Sequence, residues 1–186
     1  MNEKKKLRAL FARERDGLAP RERAGKTGEI IKAIRRTEEF RQAGTVLVYR
    51  AVLSEIDLRE LVSASGKTFV YPVCEGKDLV AMIPGGWKTG PFGIQEPDPA
   101  VSEPVLPRNI DLVICPGLAF DSRLFRLGMG GGFYDRFLPL CVNACFIMPA
   151  FECQRTDLLP ADPWDVKMHM AVTENGIYTV SVGKTI

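Results

Sequence analysis

Four glycines fall within five residues, at positions 128, 130, 131 and 132. A stretch like this cannot be the interior of a helix or strand. Glycine frees the backbone to take φ > 0 and leaves no side chain to hold a ligand away. Successive exposed N–H groups can then form a concave nest for an anion. Upstream, Ile110-Asp-Leu-Val-Ile-Cys115 reads as a buried strand. Downstream, Phe133 and Phe137 stand at i and i+4, and Pro139 follows, which predicts a short helix over 133–138. Strand, glycine loop and helix start make a phosphate-site layout, where free N–H groups and the helix dipole attract anions. The segment is not a P-loop, because no Gly-Lys-Ser/Thr ends it. It is not the dinucleotide fingerprint either, because Phe133 holds the third glycine position. A tight turn with close backbone packing would use the same glycines. Arg126 and Asp135 on either side favour the anion, since one can neutralise phosphate and the other can hold a metal on it.

The 186 residues suffice for one domain, expected over 1–186. A net charge of +2 gives no broad field, so no nucleic-acid partner is expected. No apolar run approaches the ~18 residues of a membrane span. The N-terminal residues lack an apolar h-region, so no secretory signal is expected. The five cysteines form no CxxC pair, which fits reduced thiols in a cytoplasm, most of them small core residues. Zinc is not expected with one histidine, His169, and no ligand spacing; that histidine reads as structural.

Residues 3 to 16 predict an amphipathic helix with Leu7, Leu10 and Phe11 on one face. A second helix starts at Pro20 and runs to about Thr37, with Ile30, Ile31 and Ile34 inward. Lys4 and Arg8 lie four apart on one helix face. From spacing alone a solvated basic face is the favoured reading, and a polyphosphate contact the other. Thr45–Tyr49 predicts a strand leading to a helix over 57–64. Glu55 sits at the strand-to-helix edge where open α/β sheets place ligands, although Ser54 or Asp57 could simply cap the helix there. Strands are predicted at 68–71, 79–83, 144–148, 170–173 and 177–182. Residues 84–109, rich in Pro and Gly but holding Trp87 and Phe92, read as a long structured loop, and 116–130 as a second. The alternation of strand and helix predicts an α/β fold with parallel pairs.

In this order the motifs become recognisable. Lys4-Lys-Lys-Leu-Arg8, Leu53-Ser-Glu-Ile-Asp57, Gly90-Pro-Phe-Gly-Ile-Gln-Glu-Pro97, Asp111 to Asp121, Arg126-Leu-Gly-Met-Gly-Gly-Gly-Phe-Tyr-Asp135 and the Asp165 region run nearly end to end. Together the chain resembles the 5-formyltetrahydrofolate cyclo-ligase family. The resemblance implies a three-layer α/β domain with a mainly parallel sheet flanked by helices, similar to the sugar-phosphate isomerase and acyl-carrier transferase group. It implies ATP- and Mg²⁺-dependent closure of 5-formyltetrahydrofolate to 5,10-methenyltetrahydrofolate, through a phosphorylated formyl group. It also implies a monomer acting on a reduced folate in the cytoplasm.

By motif position the resemblance assigns Lys4, Arg8 and Arg126 to catalysis at the ATP phosphates. Leu127, Gly128, Met129, Gly130, Gly131 and Gly132 would cradle the triphosphate, with Phe133 and Tyr134 beside the nucleotide. Arg50, Glu55, Phe92 and Phe133 would line the folate site. Asp135 and Asp165 would hold Mg²⁺. Three positions differ from the family's usual pattern. Phe133 stands where a tyrosine is common, Trp164 where a histidine often precedes the second aspartate, and Ser122-Arg-Leu-Phe125 where many members have a glycine turn. The rival readings are a phosphosugar isomerase-like enzyme and a nucleotide- or folate-binding module without catalysis.

Overall fold

The computed structural model describes residues 3–63, 66–91 and 93–180. In chain order the helices are α1 (Glu3–Asp16), α2 (Pro20–Arg36), α3 (Glu38–Gln42), α4 (Arg59–Val62) and α5 (Phe133–Phe137). The strands are β1 (Thr45–Leu47), β2 (Thr68–Glu75), β3 (Asp78–Ile83), β4 (Trp87–Thr89), β5 (Gln95–Pro97), β6 (Glu103–Val105), β7 (Leu112–Ile114), β8 (Ala119–Asp121), β9 (Arg126–Leu127), β10 (Cys145–Pro149), β11 (Arg155–Thr156), β12 (Met170–Thr173) and β13 (Gly176–Thr179).

The main sheet has the order β13-β12-β10-β7-β1-β2-β3-β6. From β12 to β2 the neighbours are parallel, and the outer pairs are antiparallel. The central strands are apolar throughout because both faces are covered, as parallel sheets require. Alternate residues divide between two cores. Val46, Leu112, Ile114, Ile147 and Val172 meet Ile30, Ile31 and Ile34 of α2 and Leu61 of α4. Leu47, Val113, Cys115, Met148 and Ala171 face the opposite way, toward Phe137 of α5 and Leu138 after it. The result is a three-layer α/β arrangement. A smaller sheet, β11-β8-β9, supports α1 through Phe11, Leu118, Ala119, Leu127 and Leu159.

Several boundaries differ from expectation. Leu10 is exposed, while Leu7 and Phe11 do pack inward. Of the helix expected over 57–64, Arg59–Val62 is helical, and the Asp57 carboxylate, accepting from the Arg59 amide at 3.0 Å, starts it late; residue 64, like 181–182 of the strand expected over 177–182, lies outside the described residues. The two long loops contain the hairpin β4–β5, the edge strand β6, and β8 and β9. Pro139 does not stop the helix sharply but lies inside a 3₁₀ turn, Leu138–Leu140.

Strand connections leave β1 toward β2 on one side and β7 toward β10 on the other. This reversal makes a switch point between β1 and β7, where open α/β sheets form a crevice beyond their carboxyl ends. The segments emerging there are Tyr49–Arg50 and Pro116–Gly117, both on the cavity wall.

Candidate functional site

Beyond the switch point lies an open cavity of about 1140 Å³. Every sequence-assigned residue except Phe92 lines it, and Phe92 lies outside the described residues. The assembly draws on α1, the turn after β1, the β4–β5 hairpin, β9 with the glycine loop, and the segment near Asp165.

One end is cationic and glycine-rich. Gly130 has φ 106° and Gly132, at the start of α5, has φ 66°, conformations that side-chain-bearing residues rarely adopt. Their left-handed backbone turns the loop around the cavity. With only five residues, α5 adds little dipole, so the charge at this end comes from the cations. Arg8 Nε donates to the Gly128 carbonyl at 2.8 Å, which docks α1 on the loop. Arg126 comes from β9 with a side chain only 3% exposed, and its Nη2 donates to Asp135 Oδ1 at 3.0 Å. Its guanidinium lies 5.6 Å from the Tyr134 ring. Arg126 Nε and the Tyr134 hydroxyl are both buried with no hydrogen-bond partner among the described residues. Native structures rarely leave buried donors so, and functional sites are a common exception.

Lys4 Nζ lies 2.5 Å from Asp162 Oδ2 and 2.6 Å from Asp165 Oδ2. Burial works against its charge, but the hydrogen bonds to these aspartates outweigh it and raise the ammonium's pKa. The solvated-face reading of Lys4 and Arg8 therefore fails: both are anchored at the cavity. Asp162 went unnoticed in the sequence. The i, i+3 carboxylates between Pro160 and Val166 were its only signal.

At the other end sits Glu55. Its Oε2 accepts from the Val52 amide at 3.0 Å, and Arg15 Nη1 lies 3.9 Å from its Oε1. Burial raises its pKa, and the Val52 amide and Arg15 oppose the rise only in part. Arg15 is itself held by Ser54 Oγ at 2.9 Å. It too was missed, though Lys4, Arg8 and Arg15 repeat at i, i+4 and i+11, one stripe of a helix. Eleven helical steps span about 16 Å, so this stripe runs from the glycine-loop end to the Glu55 end. Arg50 lies 4.8 Å over the Trp87 ring, which meets Tyr71 edge-on at 4.9 Å. Of the three, Arg50 and Tyr71 line the cavity. Glu96, also missed, is a second buried carboxylate on the wall, accepting from the Cys74 amide at 3.3 Å.

Asp135 and Asp165 both reach the cavity, each paired with a cation: Asp135 with Arg126, Asp165 with Lys4. Among the described residues no group of three His, Cys, Asp or Glu side chains could hold a metal alone. Mg²⁺ does not need one, because it is commonly bound by one or two carboxylates plus substrate phosphates. Two hard carboxylates beside a cationic, glycine-rich wall fit that mode. His169 is structural: its Nδ1 accepts from the Phe146 amide at 2.8 Å, and its ring lies on Phe146. Cys115 and Cys141 are buried with thiols pushed up to about 12 by desolvation, and Cys74, Cys145 and Cys153 are half-buried. No described helix is long and apolar enough to cross a membrane.

Comparison with known proteins gives a consistent result. The model of the 5-formyltetrahydrofolate cyclo-ligase family matches residues 1–174. The 5-formyltetrahydrofolate cyclo-ligase of Haemophilus influenzae is 36% identical over 142 residues, covering 70% of this chain and 75% of that protein. The enzyme of the same name from Mycolicibacterium smegmatis is 37% identical over 150 residues, covering 72% and 75%. The NMR structure of Aquifex aeolicus 5,10-methenyltetrahydrofolate synthetase superposes with a TM-score of 0.87 at 30% identity, covering 98% of this chain and 95% of that one.

Proposed function

This chain belongs to the 5-formyltetrahydrofolate cyclo-ligase family, and from that premise we propose that it closes 5-formyltetrahydrofolate to 5,10-methenyltetrahydrofolate with turnover of ATP to ADP and phosphate. The observation that carries the reading is a single cavity with a cationic, glycine-rich wall at one end and a largely buried carboxylate at the other.

The chemistry explains why both ends are needed. Ring closure requires N10 to attack the formyl carbon and an oxygen to leave. A formamide oxygen is a poor leaving group as hydroxide and a good one as phosphate. The formyl oxygen therefore attacks the γ-phosphorus, and ADP leaves. N10 then adds to the imidoyl carbon and gives up its proton to solvent, and inorganic phosphate is expelled with the former formyl oxygen. No protein nucleophile enters, so the residues act by positioning and charge stabilisation. In this reading Glu55 accepts the paired N–H donors of the pterin edge. Phe92 and Phe133 flank the folate, and Arg50 borders it. Lys4, Arg8, Arg126 and the amides of 128–132 hold the triphosphate, with Tyr134 alongside. Asp135 and Asp165 would hold Mg²⁺, which when bound neutralises phosphate charge. The orphaned Arg126 Nε and Tyr134 hydroxyl support a role for these two side chains in the reaction.

The test is ATP-dependent growth of the methenyl chromophore from 5-formyltetrahydrofolate. Signal is expected with Mg²⁺ and lost with a chelator. Folded protein that gives none would end the proposal. A single-domain monomer in the cytoplasm with no nucleic-acid partner completes the reading. Light scattering that returned a dimer mass would correct it.

A further inference from the structure

Resting on the nucleotide reading above, we propose that Trp164 is the platform on which the nucleotide's base stacks, with Met129 as a second apolar contact on the same rim. Indole side chains are usually well covered, yet Trp164 is 70% exposed and Met129 64%. Both line the main cavity, and both belong to its cationic end: Met129 lies inside the glycine loop, and Trp164 precedes Asp165. Among the described residues Leu53 is the other large apolar side chain both exposed and on this cavity, and it lies in the Glu55 turn at the opposite end.

The Trp164 ring is carried on an ordered turn. The Asp165 amide donates to the Asp162 carbonyl at 3.0 Å, and the Asp162 amide donates to Asp165 Oδ2 at 2.7 Å. Lys4 then ties both carboxylates to α1. The turn that carries the indole is thus held beside cations proposed to hold phosphate. A nucleotide with its phosphates in the cradle carries a flat heterocycle at its far end. An exposed aromatic ring is the surface such a heterocycle stacks on, and thioether sulfur also favours aromatic contact.

The chain has two tryptophans, Trp87 and Trp164, so emission reports on few sites. ADP with Mg²⁺ should quench wild-type emission, whereas inorganic tripolyphosphate should not. The quench should vanish in Trp164→Phe. In steady-state assays Trp164→Ala should raise the KM for ATP about fivefold or more, with the folate KM within about twofold. Trp164→Phe, which keeps a ring, should stay close to wild type in ATP KM. A quench that persists in Trp164→Phe, or an ATP KM unmoved in Trp164→Ala, would overturn the platform while leaving the cyclo-ligase reading standing. Wild-type protein that neither turns over ATP nor binds ADP would remove both together.

Discussion

Arg126 concentrates more of the proposed chemistry than any other side chain. It is nearly fully buried, holds Asp135 through one nitrogen, and leaves Nε without a partner. A preorganised cation in a dry site is worth far more at a phosphoryl group than one in water. Arg126→Ala should therefore lower kcat/KM by about 10³-fold, with far-UV circular dichroism unchanged. Arg126→Lys should recover little, because an ammonium lacks the planar fork. Activity within tenfold of wild type in the alanine variant would displace the phosphate site from this residue. Glu55 gives a pH signature. Burial raises its pKa, so it protonates at a higher pH than an ordinary carboxylate. Only the ionised form accepts two donors from the pterin edge. The folate kcat/KM should thus fall as pH drops through this raised value, and Glu55→Gln should lack the step and be lower at neutral pH. The stability sign is the reverse. The native state holds this proton more tightly than the unfolded chain, so Glu55 ionisation destabilises the fold as pH rises from about 4.3 through the raised pKa. Denaturant titrations should show Glu55→Gln more stable than wild type above that window and level with it below. A wild-type kcat/KM profile with no acidic limb would contradict the assignment.

Between β8 and β9, a short turn decides where Arg126 points. Asp121 is fully buried and accepts from the amides of Arg123, Phe125 and Leu159, each at 3.0 Å, and pairs with the Arg123 guanidinium at 2.7 Å. Leu124 takes φ 63°, the left-handed conformation a glycine adopts freely, and is kept there by burial in the second core. So the sequence Ser122-Arg-Leu-Phe125, which lacks the glycine common in the family, still makes a left-handed turn. Asp121→Ala would leave buried amides unpaired and should cost about 3 kcal/mol in denaturant unfolding, with a raised ATP KM because β9 is released. A loss under about 1 kcal/mol would mean the turn is held by packing alone. This element also shows what sequence reading can reach. α1 and α2 were legible because their apolar periods are long, and the glycine loop because four glycines in five residues admit few structures. Strands β8, β9 and β11 were not, since two or three residues carry no period and their partners lie up to 35 positions away. Asp162 and Arg15 escaped for a related reason: each gains its role from a partner more than 35 residues distant.

At the scale of the whole molecule, the first helix links both ends of the cavity. Lys4 reaches the 162–165 turn, Arg8 the glycine loop, and Arg15 the Glu55 turn. Besides these polar contacts, an apolar one docks the helix, with Phe11 packed among Leu118, Ala119, Leu127 and Leu159. The cavity's integrity should therefore depend on a residue that touches no ligand. Phe11→Ala removes a buried aromatic and should cost about 3 kcal/mol in stability, if the helix unfolds with the rest. If instead α1 undocks locally, the global unfolding midpoint will hold while amide exchange in residues 3–16 rises. In either case the KM values for ATP and for 5-formyltetrahydrofolate should rise together, because one undocking withdraws Lys4, Arg8 and Arg15 at once. Substitutions at a single end should separate them: Glu55→Gln should move the folate term. A Phe11→Ala protein in which the ATP KM rises alone would show that α1 serves only the phosphate end. The Arg15 contact with Glu55 would then be structural rather than part of the folate site.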